Sequence, residues 1–173
     1  MAELKNMLYS KEVINHFKNP KNMGKMRNSD GIGKVGNLRC GDVTWLYIKV
    51  RKDGKGLDRK ITDIKFQTFG CTVAIAVSSM ITTLAKGKSL RDALEISKND
   101  VLKKAGPLPI TKLHCSVLAD DALHEAIYDY LIKNNIEVPQ ELKEKHKKTK
   151  KDIDIIEERY GEYINLEKRI LEK

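Results

Sequence analysis

Two runs of alternating, β-branched and aromatic residues lie close together in the first half of the chain: "DVTWLYIKV" at residues 42–50 and "KITDIKFQTF" at residues 60–69. Asp53-Gly54 offers a turn between them, and a period of two bounded by turn residues predicts an antiparallel hairpin. A further strand is expected near residues 34–38. After Gly70 the period changes. "CTVAIAVSSMITTLAKG" is apolar nearly all round from Cys71 to Leu84 and ends in Lys86-Gly87, which predicts a buried helix with a glycine stop. Ser89 caps a short helix, "SLRDALEIS", and "GPLPITK" (residues 106–112) is an extended lead into a helix over 114–133. The apolar stripe of that helix includes Val117, Leu118, Ala122, Ile127 and Leu131. Upstream, Ser10 is an N-cap for a short helix with Val13, Ile14 and Phe17 at helical spacing, and residues 18–37 read as a long irregular segment. Strands come first and helices follow. The expected fold is α+β, a small three-stranded antiparallel sheet with helices packed on one face.

Beyond Asn134 the composition shifts. Pro139 and the lysine-rich "ELKEKHKKTKK" lead into "DIDIIEERYGEYINLEKRILEK", where Ile153, Ile156, Tyr160, Tyr163 and Ile170 recur at three- and four-residue steps and Glu167 breaks the seam. A charged terminal helix is expected, its simplest role being to pack on the domain. The organisation is then a domain over residues 1–133 and a charged helical extension over 134–173. The chain has 173 residues, enough for one domain with a real core. Its net charge of +9 invites a nucleic-acid reading, but acids and bases alternate in the basic run as on a solvated helix face. Aromatics suited to base stacking are sparse. The basic surface instead suits acidic protein partners, with no nucleic acid expected. No apolar run approaches a membrane span, and the N-terminus resembles neither a secretory signal nor a transit peptide, so a cytoplasmic protein without membrane attachment is expected.

The three cysteines, Cys40, Cys71 and Cys115, are odd in number and widely spaced, which makes no disulfide framework. All three fall at the ends of expected elements. Cys71 and Cys115 fall in first helical turns, where unpaired N–H groups and positive dipole promote metal ligation and nucleophilicity. In Cys40-Gly41-Asp42 an extended chain would put thiolate and carboxylate on one side. His114 stands directly beside Cys115. Three sulfurs, an imidazole and a carboxylate suit zinc or an iron–sulfur centre, although no C-x-x-C pair of the zinc-ribbon kind is present. A cysteine nucleophile beside a histidine base is the enzymatic alternative, but no motif for a substrate pocket or oxyanion donors is visible. His16, His124 and His146 lack such company and read as surface or packing residues.

"RCGDV", "FQTFGCTVAIAVSS" and "LPITKLHCSVLADDALHEAIYDY", with the opening "YSKEVINHFKNPKNMGKM", resemble in order the motifs of the U-type iron–sulfur cluster assembly scaffolds, the IscU/NifU N-terminal family. The similarity runs from about residue 8 to 133. It implies a non-enzymatic scaffold, a cysteine persulfide acceptor at most. Such a scaffold assembles a [2Fe-2S] cluster from iron and desulfurase-derived sulfur and transfers it to acceptor apoproteins. By that resemblance the metal-site positions are Cys40, Asp42, Cys71, His114 and Cys115, with Lys112 next to the site. The implied partners are a cysteine desulfurase, an iron or electron donor, the acceptors and a second copy of the chain, and zinc is the implied occupant of the cluster-free form. The alternative is a zinc-bound persulfide sulfur carrier, but those relatives carry another residue at the position of His114. Two departures stand out. Leu108-Pro109-Ile110-Thr111-Lys112 replaces the family's Leu-Pro-Pro-Val-Lys, which puts recognition by an Hsp70-type chaperone in doubt, and Thr72-Val73 is bulkier than the small pair usual after the middle cysteine.

Three thiolates would hold a cluster strongly, and the fourth position, contested by Asp42 and His114, would be the weak one. Asp42 is favoured, because a hard carboxylate binds iron–sulfur irons weakly. Lys112 is expected to pair with Asp42 when no cluster is bound.

Overall fold

A computed structural model of the chain describes residues 9–37 and 41–171, with side chains up to residue 155 and at residues 158 and 161. Helix α1 (Lys11–Lys18) precedes a meander of β1 (Gly31–Gly36), β2 (Val43–Val50) and β3 (Ile61–Phe69), which pair antiparallel in that order. Five helices follow: α2 (Thr72–Ala85), α3 (Leu90–Leu94), α4 (Lys98–Ala105), α5 (Leu113–Lys133) and α6 (Gln140–Leu171). The α+β order expected from the change of period at Gly70 is the one observed.

Alternation in β2 divides its side chains between two surfaces. Leu46, Ile48 and Val50 enter the principal core with Ile61 and Ile64 of β3, Val73, Val77 and Ile81 of α2, and Leu118, Ala122, Leu123 and Ile127 of α5. Val43, Trp45 and Tyr47 point the other way. They form a second, smaller cluster with Met26 and with Ile153 of α6. The long terminal helix thus reaches the face of the sheet that α2 and α5 leave uncovered, and Trp45 is only 8% exposed there. The extension also joins the principal core, because Val138 and Leu142 are buried in it.

Three details differ from the sequence reading. The first strand, expected near residues 34–38, lies at Gly31–Gly36 and so begins inside the segment expected to be irregular, because glycines replace the β-branched residues that mark a strand. Val117, assigned to the apolar stripe of α5, is 37% exposed. The buried face is set by Cys115, Leu118, Ala119 and Ala122 at three- and four-residue steps, and position 117 falls off it. The third difference, at Gly41, belongs to the metal centre.

Helices α5 and α6 meet along a polar seam. Lys145 of α6 lies 2.8 Å from Asp120 and 3.3 Å from Asp121. His146 pairs with Glu125 at 2.8 Å and stacks on Tyr128. His124 sets Nδ1 2.8 Å from Asp120 O and Nε2 3.0 Å from Leu94 O. Nδ1 is also 3.1 Å from Lys145 Nζ. Burial and the Lys145 ammonium oppose a charge on this ring, but Asp120 outweighs both and raises the pKa of His124. The Lys145→Ala variant should therefore lose about 1–3 kcal/mol of stability in urea titration, since Asp120 and Asp121 are left without the ammonium. A loss below about 0.5 kcal/mol would show that water replaces it adequately.

Candidate metal centre

Three chain segments end at one place: the β1–β2 connection, the corner between β3 and α2, and the start of α5. The first is a tight loop. Asn37 N–H donates to Asp42 O and Gly41 N–H to Asn37 O, both at 2.9 Å, and Gly41 has φ +72°. The extended geometry expected for Cys40-Gly41-Asp42 is therefore not adopted. Gly36 and Val43 are register partners, so the chain must reverse between them, and glycine takes the left-handed conformation that this requires. Cys40 itself lies outside the described residues. Asp42 leads directly into β2 and is 6% exposed.

Cys71 occupies the N-cap of α2, half-buried, and Cys115 is fully buried in the first turn of α5. Neither helix has a side-chain cap, so the N–H groups of both first turns end at this site without a capping side chain. The two sulfurs are 3.8 Å apart, nearly twice a disulfide bond length and close enough to share a metal or a cluster. Cys115 Sγ is also 4.0 Å from Asp42 Oδ2. One ligand atom each from Asp42, His114 and Cys115 fall within 4.8 Å of one another. His114 Nε2 is buried and has no hydrogen-bond partner. An orphaned imidazole nitrogen costs free energy in a dry site unless a ligand takes it up. Sulfur, nitrogen and oxygen donors that come together in this way fit a soft or borderline metal.

Lys112 is the residue just before α5. Attraction to Cys71, with lesser contributions from Cys115, Tyr9 and Asp42, holds its ammonium above the ordinary value against the opposing effect of desolvation. The lysine thus senses the whole group rather than Asp42 alone. Around the centre the surface is apolar: Phe69 is 61% and Ile110 87% exposed, and Leu113 and Val117 are also exposed. The other histidines lie elsewhere. His16 is buried against Ser79 at 2.8 Å, and His124 and His146 belong to the α5–α6 seam.

Gly70 is a contributor that the sequence reading passed over. A Cβ on it would stand 2.9 Å from Asp42 Cγ and 2.9 Å from Ala74 Cβ. Its only signal in the sequence is its place immediately before Cys71.

The fold defines an α+β domain in which cysteine, carboxylate and imidazole side chains meet at the joint of a three-stranded sheet and two helix N-termini. The chain belongs to the NifU-like N terminal domain family, which it matches over residues 8–137. The iron-sulfur cluster assembly scaffold protein IscU 1 of Archaeoglobus fulgidus is 53% identical over 127 residues, 73% of this chain and 79% of that protein. The IscU scaffold of Rickettsia prowazekii is 50% identical over 127 residues, 72% of this chain and 92% of its own. Among solved structures, the NifU-like N-terminal protein of Brucella abortus matches in fold with TM-score 0.54 at 22% identity, over 73% of this chain and 96% of its own. No helix of the described residues is long and apolar enough to cross a membrane.

Proposed function

We propose that the chain is a scaffold on which a [2Fe-2S] cluster is assembled and from which it is passed to acceptor apoproteins. The convergence of Cys71, Cys115, Asp42 and His114 at the surface end of the fold carries this reading, and the family membership supports it. Cys40, Cys71 and Cys115 are the strong ligands. Asp42 is the weak fourth, and His114 is the alternative occupant of that position. A cysteine desulfurase delivers sulfur as a persulfide, which must be reduced to sulfide, so an electron donor is required besides the iron source. The exposed apolar residues Phe69, Ile110, Leu113 and Val117 give such partners a surface next to the cargo. The scaffold unit is residues 1–133, and residues 134–173 are a charged extension. A second copy of the chain is a further partner. The chain itself is a persulfide acceptor at most, rather than a catalyst.

The same sulfur, nitrogen and oxygen donors would hold zinc tetrahedrally when no cluster is present. That observation keeps a zinc-bound persulfide carrier as the second reading. The test is anaerobic loading with iron, cysteine and a desulfurase, followed by addition of an apo-ferredoxin. Appearance of the cluster absorption, then its transfer to the ferredoxin, is the expected result. A protein that takes up zinc and persulfide but never builds or never yields a cluster would overturn it.

The role of Asp42 follows from its chemistry. A carboxylate exchanges readily on a soft iron–sulfur centre and so opens a coordination position. The Asp42→Ala variant is expected to lose its cluster more slowly, by about tenfold or ~1.4 kcal/mol, as His114 takes the position. Unchanged or faster decay of the cluster absorption would remove Asp42 from the release step.

A further inference from the structure

The two glycines of the centre are there for different reasons. Gly41 has φ +72° and open space around it, so its requirement is conformational. Gly70 does not have a positive φ, so any residue could adopt its backbone; what it lacks is room. An ideal Cβ at position 70 would meet Asp42 Cγ at 2.9 Å, Asp42 Oδ2 at 3.1 Å and, from the other side, Ala74 Cβ at 2.9 Å. Oδ2 is also the oxygen that stands 4.0 Å from Cys115 Sγ. Of the two groups a side chain would strike, one is thus the carboxylate that stands against Cys115.

Nothing else near the carboxylate can give way cheaply. Ala74 is buried in the first turns of α2, and a shift there would carry Cys71, the N-cap of the same helix. Asp42 is itself buried at the start of β2, where Val43 pairs with Phe69, the residue before Gly70. The backbone on both sides is fixed by the sheet, so the contact with Asp42 is relieved by rotation of its side chain, whereas the contact with Ala74 Cβ is removed only by truncating Ala74. An off-rotamer shift of this kind costs less than displacing a strand and a helix together.

We infer that Gly70 is a positioning residue for the cluster: its missing side chain is the space in which the Asp42 carboxylate stands against Cys115. It touches no ligand atom other than through Asp42, and it sets how readily the weak fourth ligand reaches the metal. This rests on the reading of Asp42 as that ligand.

The experiment uses the full chain and the variants Gly70→Ala, Asp42→Ala and the double variant, each made and compared in an Ala74→Gly background that removes the Cβ contact on the α2 side. The first readout is the side-chain carboxyl ¹³C resonance of Asp42 in metal-free protein. It should move in Gly70→Ala more than the resonance of any other carboxylate, and an unmoved resonance overturns the inference whatever the cluster does. The second readout is the decay of the cluster absorption under a chelator. Gly70→Ala should lengthen the lifetime in the same direction as Asp42→Ala, and the double variant should match Asp42→Ala alone, because a side chain at 70 has then no carboxylate to displace. Additive effects in the double variant would show that Gly70 acts by another route and would also overturn the inference. If the resonance moves while neither single variant changes the lifetime, the release role of Asp42 falls and the positioning of its carboxylate by Gly70 stands. Thermal unfolding of Gly70→Ala within a few degrees of the Ala74→Gly parent confirms that the comparison is made on a folded protein.

Discussion

Gly33→Ala should strongly destabilise the fold. A Cβ at position 33 would lie 2.1 Å from Ala122 O and 2.6 Å from Ala126 N, and one at position 31 would lie 2.3 Å from Ala126 O. These are backbone atoms of α5, so no flexible side chain can swing aside. Strand β1 lies against the helix so closely that its alternate residues must be glycine and the opposing helix residues alanine; Ala122 and Ala126 are fully buried. Separating the two elements would open the principal core, in which α5 contributes Leu118, Leu123, Ile127 and Leu131. The expected loss is about 3 kcal/mol or more, a large share of the stability of an ordinary domain. Urea titration followed by circular dichroism measures it. Gly161→Ala is the matched control: that glycine is in the interior of α6 with nothing within 4 Å, so it should gain about 0.5–1 kcal/mol. A Gly33→Ala protein within about 0.5 kcal/mol of wild type would mean that β1 and α5 do not approach as described.

That close approach is also where sequence reading reached its limit. β2 and β3 were legible because a half-buried strand writes its two faces as alternation, α2 because it is apolar nearly all round and ends at Gly87, and α5 because of its apolar stripe. The sequence "GIGKVG" of β1 carries no such pattern. Its glycines serve contact with a helix almost a hundred residues later, which no local signal encodes. The candidate site residues stood out by chemistry: Cys71, Cys115, His114 and Asp42 carry metal-binding groups at or next to element ends, and the structure brings them close together. The error at Gly41 came from extending strand alternation one residue too far into a turn. Gly70 escaped notice because its contribution is an absence of atoms beside Asp42, visible only once β2, β3 and α2 are set in place. Likewise, the apolar alternation in β2 announced that Trp45 and Tyr47 needed cover, but not that Ile153 would supply it.

Cys115→Ser should leave a folded protein that assembles no cluster. Cys115 Sγ is the hub of the centre: it is 3.8 Å from Cys71 Sγ and 4.0 Å from Asp42 Oδ2, and it belongs with His114 to the group of converging ligand atoms. Serine keeps the volume but replaces a soft thiolate by a hydroxyl, a hard ligand that stays protonated at neutral pH and competes poorly for iron bound to sulfide. The residue is fully buried, so the hydroxyl costs about 1–3 kcal/mol unless it finds an acceptor, and the Asp42 carboxylate is the nearest one. Loading with iron, cysteine and a desulfurase without oxygen should therefore give no cluster absorption, while urea titration still shows one transition. The comparison with Asp42→Ala is what makes the result informative. Two side chains 4.0 Å apart are expected to act in opposite senses, the thiolate being required for the cluster to exist and the carboxylate shortening its stay. If Cys115→Ser assembled and transferred a cluster normally, the centre would lie elsewhere. If it merely shortened the lifetime as a weaker ligand would, the division between holding and releasing ligands would have to be redrawn around His114.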